Sequence, residues 1–467
     1  MSENPGMYSN RLLVIGGVAA GLSAASRARR IDPRLEITVL EQGPDVSYGA
    51  CGLPYLVGGQ VRSAEQLFVY SPDFFRQHRN IEVLTGTRAV EIEPGRRRVR
   101  AVHAETRKEQ SFPYDRLVIA TGARPRWPQI PGIDLPGVFQ ANNLEGARSL
   151  MAFIEGRPPG AGSQRAARAA ILGGGYIGLE YAEALRRRGL EVMVFHDGDE
   201  VLEGFDAEIT ELVEGELARH GVTLLKQNPA QAISGDSAVR QVVSAGGRYD
   251  ADLVLVAAGV VPCADLAAAA GLALGPAGSI AVDDRLQTSL PGVFAAGDCA
   301  HSFHLVTGRP VHMPLGTTAN KQGRVAGENA AGGHARFPGI VGTAAVRVFD
   351  LECARTGLSE SEAHAAGYRF VTAIVEHPNR PQYFGGTNIR VKLLAERNTG
   401  RLLGGQMAGA DGVAKRIDVV ATALHARMSA AQLAALDLSY APPFAPVWDP
   451  VLIAAQALER RLTEPRP

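Results

Sequence analysis

Two glycine-rich turns, each placed between an apolar strand and a helix, constrain the fold of this 467-residue chain more than any other feature. The first turn follows the apolar residues 12–15 and reads Gly16-Gly17-Val18-Ala19-Ala20-Gly21. An Ala-rich helix ending near Arg30 comes next, and a second apolar run then closes on Glu41-Gln42. In such a βαβ unit the helix N-terminus faces a pyrophosphate, and the acid accepts hydrogen bonds from a ribose. Val18 stands where the common pattern has its middle glycine, so this turn alone is a weak signal.

The second turn carries the complete pattern. It reads Gly173-Gly174-Gly175-Tyr176-Ile177-Gly178 and is followed by a helix and by a strand that ends at His196-Asp197. Two such units predict two bound dinucleotides. Asp197 and Asp199 offer carboxylates to a ribose, and no arginine stands beside them to take a 2′-phosphate. The second site therefore favours NADH, with NADPH as the alternative.

Three further strand ends would border these nucleotides. They are Ala120-Thr121-Gly122, Ala257-Ala258-Gly259 and Ala296-Gly297-Asp298. We expect a helix to begin at Asp298, where its carboxylate either caps that helix or binds a cofactor hydroxyl. The two roles are compatible, because a cap residue lies at the helix end that faces a cofactor.

Cys51 lies after the second strand, in the run Ser47-Tyr48-Gly49-Ala50-Cys51-Gly52-Leu53-Pro54-Tyr55, with no second cysteine within ten residues. A thiolate beside an electron-poor cofactor is a candidate redox centre. A small buried residue in a glycine-rich turn is the alternative. The residues around Cys51 do not decide between these interpretations.

Composition excludes several classes of function. The chain has 48 basic and 48 acidic side chains, so no overall field draws it to nucleic acid or to a membrane surface. Its four cysteines form no CxxC pair, which argues against a disulfide framework and for a reducing cytoplasm. No apolar run is long enough to span a bilayer, and residues 1–10 lack the apolar core of a signal peptide. His301 and His304 have a metal-like spacing but lack further ligands nearby, so we predict no metal site.

The order of the two glycine turns and the three strand ends resembles the FAD-dependent pyridine nucleotide disulfide oxidoreductases. The lone Cys51 resembles their single-cysteine branch, which comprises coenzyme A disulfide reductase, its persulfide and polysulfide reductase relatives, NADH oxidase and NADH peroxidase. Ala19 stands where the peroxidases and similar oxidases carry a histidine, and Tyr440-Ala441-Pro442-Pro443 resembles a C-terminal segment of the coenzyme A enzymes. Ala50 departs from the asparagine common in the family, which leaves substrate contacts there open.

The resemblance implies FAD at the first turn and NADH at the second, where Tyr176 would move off the flavin as NADH binds. Cys51 would rest as a mixed disulfide with coenzyme A. Tyr440, and less directly Tyr383, would reach that disulfide from the partner subunit, although Tyr440 could equally be an interface aromatic. Glu180 and Lys321 lie in segments that would border the flavin, or each forms a buried pair.

The remaining expectations concern the substrate and the other cysteines. Three arginines are candidate ligands of the coenzyme A phosphates, namely Arg27, Arg30 and Arg62. They could instead form a solvated face of the protein. Ser47 is a further residue that could contact the substrate. Cys299 is expected to be structural at a helix start, and Cys263 and Cys353 to lie in apolar surroundings.

We therefore predict an α/β protein with two Rossmann-like domains and a C-terminal α+β dimerisation domain, assembled as a homodimer. The FAD domain is expected at 1–124 and 262–337, the NAD(P)H domain at 125–261 and the dimerisation domain at 338–467. The leading function is NAD(P)H-dependent reduction of a small-molecule disulfide or persulfide, namely coenzyme A disulfide, or a coenzyme A persulfide or polysulfide. An NADH oxidase acting through a sulfenic acid at Cys51, and a signalling flavoprotein, are the alternatives.

Overall fold

The computed structural model describes residues 10–156 and 166–464. Its first segment supplies most of one nucleotide domain. In chain order the elements are β1 (Arg11–Ile15), α1 (Ala19–Ile31), β2 (Glu36–Leu40), α2 (Leu53–Val57), α3 (Pro72–Arg79), β3 (Ile81–Leu84), β4 (Thr87–Glu93), β5 (Arg98–His103), β6 (Glu109–Pro113), β7 (Arg116–Ile119) and β8 (Ala123–Pro125). A single 3-10 turn, Ala50–Gly52, leads into α2 and carries Cys51.

The second nucleotide domain follows. It comprises β9 (Val138–Phe139), α4 (Leu144–Ile154), β10 (Arg168–Leu172), α5 (Tyr176–Arg187), β11 (Glu191–Phe195), α6 (Ala207–Arg219), β12 (Val222–Leu225), β13 (Ala230–Ser234), β14 (Gln241–Ser244), β15 (Gly247–Asp250), β16 (Leu253–Val256) and β17 (Val260–Pro262). Its parallel sheet has the order β12-β11-β10-β16-β9. All four residues of β16 are buried, as expected for a parallel strand with both faces covered.

The chain then returns to the first domain with α7 (Asp265–Ala269), β18 (Val293–Ala295), β19 (Ser302–Phe303), β20 (Pro310–Val311) and α8 (Gly316–Ala330). The first parallel sheet thereby has the order β18-β7-β1-β2-β3. Strand β8 pairs antiparallel with β17, and the domain boundaries predicted at 124/125 and 261/262 fall in this ribbon. Helix α8 packs closely on α1, because a Cβ at Gly323 would lie 2.2 Å from the Ala20 carbonyl oxygen.

The helix expected at Asp298 is absent. Gly297 has φ +83°, and the Ala300 amide donates to the Gly297 carbonyl to close a turn. The chain continues into a bridge between Ile280 and Ala300, and the next helix, α8, begins at Gly316. A positive φ at glycine turns the chain away from a helical path, so Asp298 lies at a strand end without capping a helix.

The C-terminal domain is built on one antiparallel sheet in the order β21-β22-β25-β24-β23. Its elements are β21 (Ala344–Val348), β22 (Leu351–Gly357), α9 (Glu360–Ala365), β23 (Phe370–Pro378), β24 (Asn388–Glu396), β25 (Leu402–Gly409), α10 (Val413–His425), α11 (Ala430–Ala434) and α12 (Pro450–Thr463). The predicted class, two parallel-sheet domains followed by an α+β domain, is confirmed. No helix among the described residues has the length and apolar character needed to cross a membrane.

Helix α6 of the second domain is fastened to the C-terminal domain at both ends. At its start, Lys392 of β24 is 1% exposed, and its Nζ lies 3.0 Å from Asp206 and 2.7 Å from Glu208 and Glu360. At its end, Arg219 lies 2.9 Å from Asp350 in the turn between β21 and β22. The two domains therefore share a charged junction that is buried at Lys392 and exposed at Arg219.

Candidate active site

The first glycine turn can be built only from glycine at its ends. Gly16 has φ +112°, and a Cβ there would lie 2.1 Å from the Ala120 carbonyl oxygen. A Cβ on Gly21 would lie 1.8 Å from the Gly16 carbonyl oxygen. Val18 precedes α1 and provides no side-chain cap, so the first amides of the helix remain available to a phosphate. Valine can replace glycine at position 18 because the backbone there has a negative φ of −111°.

Glu41 lies at the carboxyl end of β2, where it is held by two backbone amides. Its Oε2 accepts from the Gly17 amide at 2.7 Å, and its Oε1 accepts from the Gly43 amide at 2.8 Å. Gln42 beside it is exposed. This arrangement suits a ribose at the mouth of the turn, and the cradle formed by the two glycines suits the pyrophosphate of FAD.

Two neighbouring strand ends complete the first site. Thr121, after β7, donates its hydroxyl to the Cys263 carbonyl at 2.6 Å, and Gly122 has φ +69°. The half-buried Asp298, after β18, forms no side-chain hydrogen bond to the described residues, and its carbonyl oxygen lies 2.8 Å from His312 Nε2. Burial raises the pKa of Asp298, with the charge of His312 opposing. A polar cofactor group would satisfy this carboxylate.

The second turn has the same construction. Gly173 has φ +116°, and a Cβ on Gly178 would lie 1.9 Å from the Gly173 carbonyl oxygen. Gly175 and Gly259 face open space, which leaves room for a phosphate chain and for a second cofactor group. Helix α5 starts at Tyr176, whose ring lies 6.2 Å from that of Phe205. Burial raises the pKa of Tyr176 to about 12, and Ile177 next to it is exposed.

His196 occupies the position in the second unit that Glu41 occupies in the first, which the sequence analysis missed. Its Nδ1 accepts from the Gly174 amide at 3.3 Å, and its Nε2 donates to the Glu200 carbonyl at 2.8 Å. Both ring nitrogens are therefore used within the protein. Asp197 follows with a side chain that is 83% exposed, while Asp199 accepts a hydrogen bond from Gln227. Aligning the two strand ends in sequence would have revealed the equivalence.

Cys51 is exposed and lies near acidic groups of both nucleotide domains. Surrounding protein still desolvates the thiol, which raises the pKa of Cys51, and the charges of Glu180 and Asp298 add to the shift. Tyr55 follows on α2, and its hydroxyl donates to Glu180 Oε1 at 3.4 Å. Tyr55 could not be recognised from the sequence, because only the packing of α2 on α5 brings it to Glu180.

The segment before Cys51 is held in a strained loop. Ser47 has φ +51°, its amide donates to the Gly17 carbonyl, and its carbonyl accepts from the Val69 amide at 2.8 Å. The Gly49 amide donates to the Leu67 carbonyl at 2.9 Å. Backbone contacts on both sides thus fix the loop that leads to the thiol, next to the first glycine turn.

The predicted phosphate ligands differ in their surroundings. Arg27 donates to Glu328 at 2.5 Å and borders a cavity of about 380 Å³ that Lys321 and Arg324 also line. Arg30 and Arg62 are exposed. Lys321 is exposed as well, so a buried pair at that residue is wrong.

Tyr383 and Tyr440 lie on the surface of the C-terminal domain, 74% and 49% exposed. They belong to an exposed aromatic patch, which we define as Tyr383, Phe384, Tyr440, Phe444, Val447 and Trp448. Arg416 joins the two segments of the patch, because its Nη2 donates to the Asn379 and Phe444 carbonyls. No hydrogen bond within the described part of the subunit links either tyrosine to Cys51.

The other cysteines and the two histidines have separate environments. Cys299 and Cys353 are buried, but Cys299 begins no helix, since its segment is a turn. Cys263 is half-buried beside Arg124 and Asp265, so the expectation of apolar surroundings is wrong there. His301 Nε2 lies 3.0 Å from the Val282 carbonyl, and His304 Nδ1 accepts from the Val306 amide.

Two dinucleotide cradles on adjacent parallel sheets, with one thiol lying near acids from both domains, define a flavin-linked pyridine nucleotide oxidoreductase. The chain matches the model of the pyridine nucleotide-disulphide oxidoreductases over residues 10–323 and the dimerisation domain of that family over residues 343–450. The protein belongs to this family, which implies FAD and NAD(P)H as cofactors and confirms the resemblance seen in the sequence.

Individual relatives point to the single-cysteine branch. An NAD(P)H coenzyme A polysulfide/persulfide reductase of Pyrococcus horikoshii is 39% identical over 461 residues, which cover 98% of this chain and 100% of that protein. An NADH oxidase of Methanocaldococcus jannaschii is 34% identical, with 97% and 99% covered. The solved NAD-dependent persulfide reductase from A. fulgidus is 42% identical, with a TM-score of 0.92 over 97% of this chain and 83% of that one.

Proposed function

We propose that this protein uses NAD(P)H and FAD to reduce a coenzyme A disulfide, persulfide or polysulfide at Cys51. The observation that carries the proposal is the exposed Cys51, the one cysteine classed as exposed in the described chain, in the charge field of Glu180 from the second domain and Asp298 from the first. The similarity to the coenzyme A polysulfide/persulfide reductase of P. horikoshii supports the choice of substrate.

The chain's own residues would hold the cofactors, which together would supply two electrons to the mixed disulfide of Cys51 when bound. Gly16, Gly21, Glu41 and Asp298 would bind FAD, and the second turn with Asp197 would bind NAD(P)H. Tyr176, at the first position of α5, would shield the reacting face and move aside as the nucleotide binds. Gly17, Val18, Ala19 and Ala20 would present backbone amides to the pyrophosphate.

Cys51 would act as the nucleophile. Its thiolate attacks one sulfur of the substrate, a bond forms between the two sulfurs, and the other sulfur departs as a thiolate. Two electrons then cleave the resulting mixed disulfide and restore the Cys51 thiolate. Tyr440 and Tyr383 would stabilise the departing thiolate from the partner subunit, which requires a homodimer. Their exposure on one isolated subunit agrees with such a role.

The phosphates of coenzyme A need cationic ligands. Arg27, Lys321 and Arg324 line the cavity beside α8, and within the described chain neither Lys321 nor Arg324 pairs with an acid. We assign this cavity to the phosphate end of the substrate in preference to the exposed Arg30 and Arg62. Ser47, in the strained loop before Cys51, would contact the thiol end.

NADH oxidation by oxygen through a sulfenic acid at Cys51 is the second candidate. The similarity to the NADH oxidase of M. jannaschii favours it. Ala19 offers no proton donor in the first turn, which counts against efficient peroxide chemistry.

The test is to denature the purified protein, release bound thiols with a reductant and identify them by mass spectrometry, with Cys51→Ser as the control. Coenzyme A in about one-to-one ratio with FAD, lost in the control, is the expected result. A sulfenic acid at Cys51, no released thiol and steady oxygen uptake with NADH would overturn the proposal in favour of the oxidase.

A further inference from the structure

Three side chains with metal-binding groups meet where the end of α6 contacts the turn between β21 and β22. They are Glu216 in the last turn of α6, His220 directly after that helix, and Asp350 in the turn. The Oε1, Nε2 and Oδ2 atoms of these residues all lie within 4.8 Å of one another. Two domains thus contribute to one cluster, and its members could not be grouped from the sequence because Asp350 is distant from α6 along the chain.

The histidine nitrogen in this cluster is free to bind a ligand. His220 Nε2 is shielded from solvent and has no hydrogen-bond partner in the described chain. It lies 3.2 Å from Glu216 Oε1 and 3.4 Å from Asp350 Oδ2. Two ligands of a tetrahedral zinc ion, each bound at about 2.0–2.1 Å, are about 3.3 Å apart. The nitrogen is therefore separated from each oxygen as two ligands of one ion would be.

The surroundings orient the three side chains towards one another. The His220 ring stacks on the Phe349 ring, with a centroid distance of 4.0 Å and an interplanar angle of 3°. The His220 amide donates to the Glu216 carbonyl at 3.1 Å, and the Asp350 amide donates to Glu216 Oε1 at 2.9 Å. A carboxylate oxygen has two lone pairs, so Glu216 Oε1 can keep this hydrogen bond and still bind an ion. Contacts of this kind orient metal ligands and increase affinity.

Arg219 supplies the positive charge at the cluster. Its Nη2 lies 2.7 Å from Glu216 Oε1 and 2.9 Å from Asp350 Oδ2, the same two oxygens that face His220. Among the residues that the structure describes, no other guanidinium or ammonium group pairs with these carboxylates. The Arg219 side chain is 56% exposed. It can therefore turn into solvent and leave both oxygens to another cation at low cost.

We propose that Glu216, His220 and Asp350 form a binding site for a divalent ion of the zinc type, which exchanges with the Arg219 guanidinium. One imidazole and two carboxylates suit zinc, and three protein ligands leave a fourth position for water. The bound ion would join the second nucleotide domain to the C-terminal domain and stabilise their junction. The proposal does not rest on the reaction at Cys51.

The test measures the affinity of the FAD-loaded protein for Zn²⁺ by competition with a chromophoric chelator. Cys51 is first capped with iodoacetamide, so that its exposed thiol binds no zinc. We expect the wild type to bind one ion per subunit at its tightest site. His220→Gln and Asp350→Asn should each lower the affinity for zinc about tenfold or more, because each removes one ligand.

Two further variants distinguish a metal site from a structural cluster. Arg219→Gln should raise the affinity for zinc about two- to fivefold, because it removes a competing cation held by an exposed ion pair. His364→Gln is the matched control and should leave the affinity unchanged. His364 is exposed and follows Glu360 by the spacing that separates His220 from Glu216, but it belongs to no cluster of three ligands in the described chain.

Thermal unfolding gives a second measurement. Zinc should raise the Tm of the wild type and have little effect on that of Asp350→Asn, because only the folded, complete site binds the ion. Wild-type affinity in His220→Gln or in Asp350→Asn would overturn the proposal, as would a wild type that binds no zinc. Asp350 is exposed in a turn, so Asp350→Asn decides if His220→Gln fails to fold. An equal or lower affinity in Arg219→Gln would overturn the exchange with the guanidinium.

Discussion

Glu41 and His196 occupy equivalent positions at the ends of β2 and β11, yet only Glu41 brings a carboxylate to its glycine turn. Each accepts a hydrogen bond from the second residue of its turn, Gly17 for Glu41 and Gly174 for His196. In the second unit the imidazole of His196 connects the glycine turn to the loop at Glu200. The next carboxylate along the chain is that of Asp197. We therefore expect the nucleotide ribose in this domain to be recognised one residue further along the chain, by Asp197.

Replacement of Asp197 by alanine should weaken the binding of NADH relative to that of NADPH. The loss of a carboxylate that accepts from the ribose hydroxyls should raise the KM for NADH about tenfold, while removal of a negative charge leaves the KM for NADPH unchanged or lower. Steady-state kinetics with both nucleotides measure the ratio. Asp199→Ala is the control, since Gln227 already engages that carboxylate. Equal effects of the two variants would show that Asp197 has no special role.

Gly178→Ala and Gly215→Ala should have opposite effects on the stability of the fold. At Gly178 the new Cβ would lie 1.9 Å from the Gly173 carbonyl oxygen, so α5 must move off its turn, and the free energy of unfolding should fall by about 2 kcal/mol. At Gly215, exposed on α6 with open space around it, alanine should stabilise the helix by about 0.5–1 kcal/mol. Urea unfolding measures both, and nucleotide affinity should drop only in Gly178→Ala.

Lys392→Met should strongly destabilise the protein. The substitution leaves Asp206, Glu208 and Glu360 close together without their shared cation, which should cost about 3 kcal/mol. Lys415→Met is the matched control, because the exposed pair of Lys415 with Asp418 should contribute under about 0.5 kcal/mol. Thermal unfolding of the FAD-loaded variants gives the comparison, and similar Tm values for both would refute the role of the junction.

Glu180→Gln should alter the dependence of stability on pH. The folded-state pKa of Glu180 is about 7, above its ordinary 4.5, so the folded protein binds more protons between these values and wild-type stability falls as the pH rises through them. Glutamine does not titrate. The variant should thus match the wild type below pH 4.5 and exceed it above pH 7 by roughly 1–2 kcal/mol, allowing for solvent screening of a half-buried group. A difference in the free energy of unfolding between Glu180→Gln and the wild type that is the same at every pH would contradict this prediction.

The exposed aromatic patch should hold two subunits together. Trp448→Asp places a charge where an apolar partner surface is expected, and it should shift a dimer towards monomer in sedimentation velocity. Leu274→Asp, at an exposed apolar residue of the first domain, should leave the sedimentation profile unchanged. The rate at which Trp448→Asp reduces coenzyme A disulfide should recover as the protein concentration is raised, because Tyr440 would then reach the partner subunit again.

The sequence predicted those features that depend on residues close together in the chain. Gly173 and Gly178 indicate a turn that has no space for a Cβ, and the order of such turns along the chain indicated the family. Tyr55 and His196 were missed because one depends on the packing of α2 against α5 and the other on the register between two distant strands. Asp298 was placed at a strand end correctly, but the helix expected after it fails because Gly297 takes a positive φ. Tyr383 and Tyr440 lie on the surface of one subunit, so their predicted role depends on contact with a second subunit.

The fastening of α6 at both ends has a kinetic consequence. With Lys392 at one end and Asp350 at the other, α6 is expected to limit the movement of the second nucleotide domain against the C-terminal domain. We therefore expect a nucleotide to enter and leave through the rotation of single side chains, Tyr176 above all, without the opening of a domain. Turnover in such a molecule would be limited by ring rotation and by diffusion, and its shape in small-angle scattering would be the same with and without nucleotide.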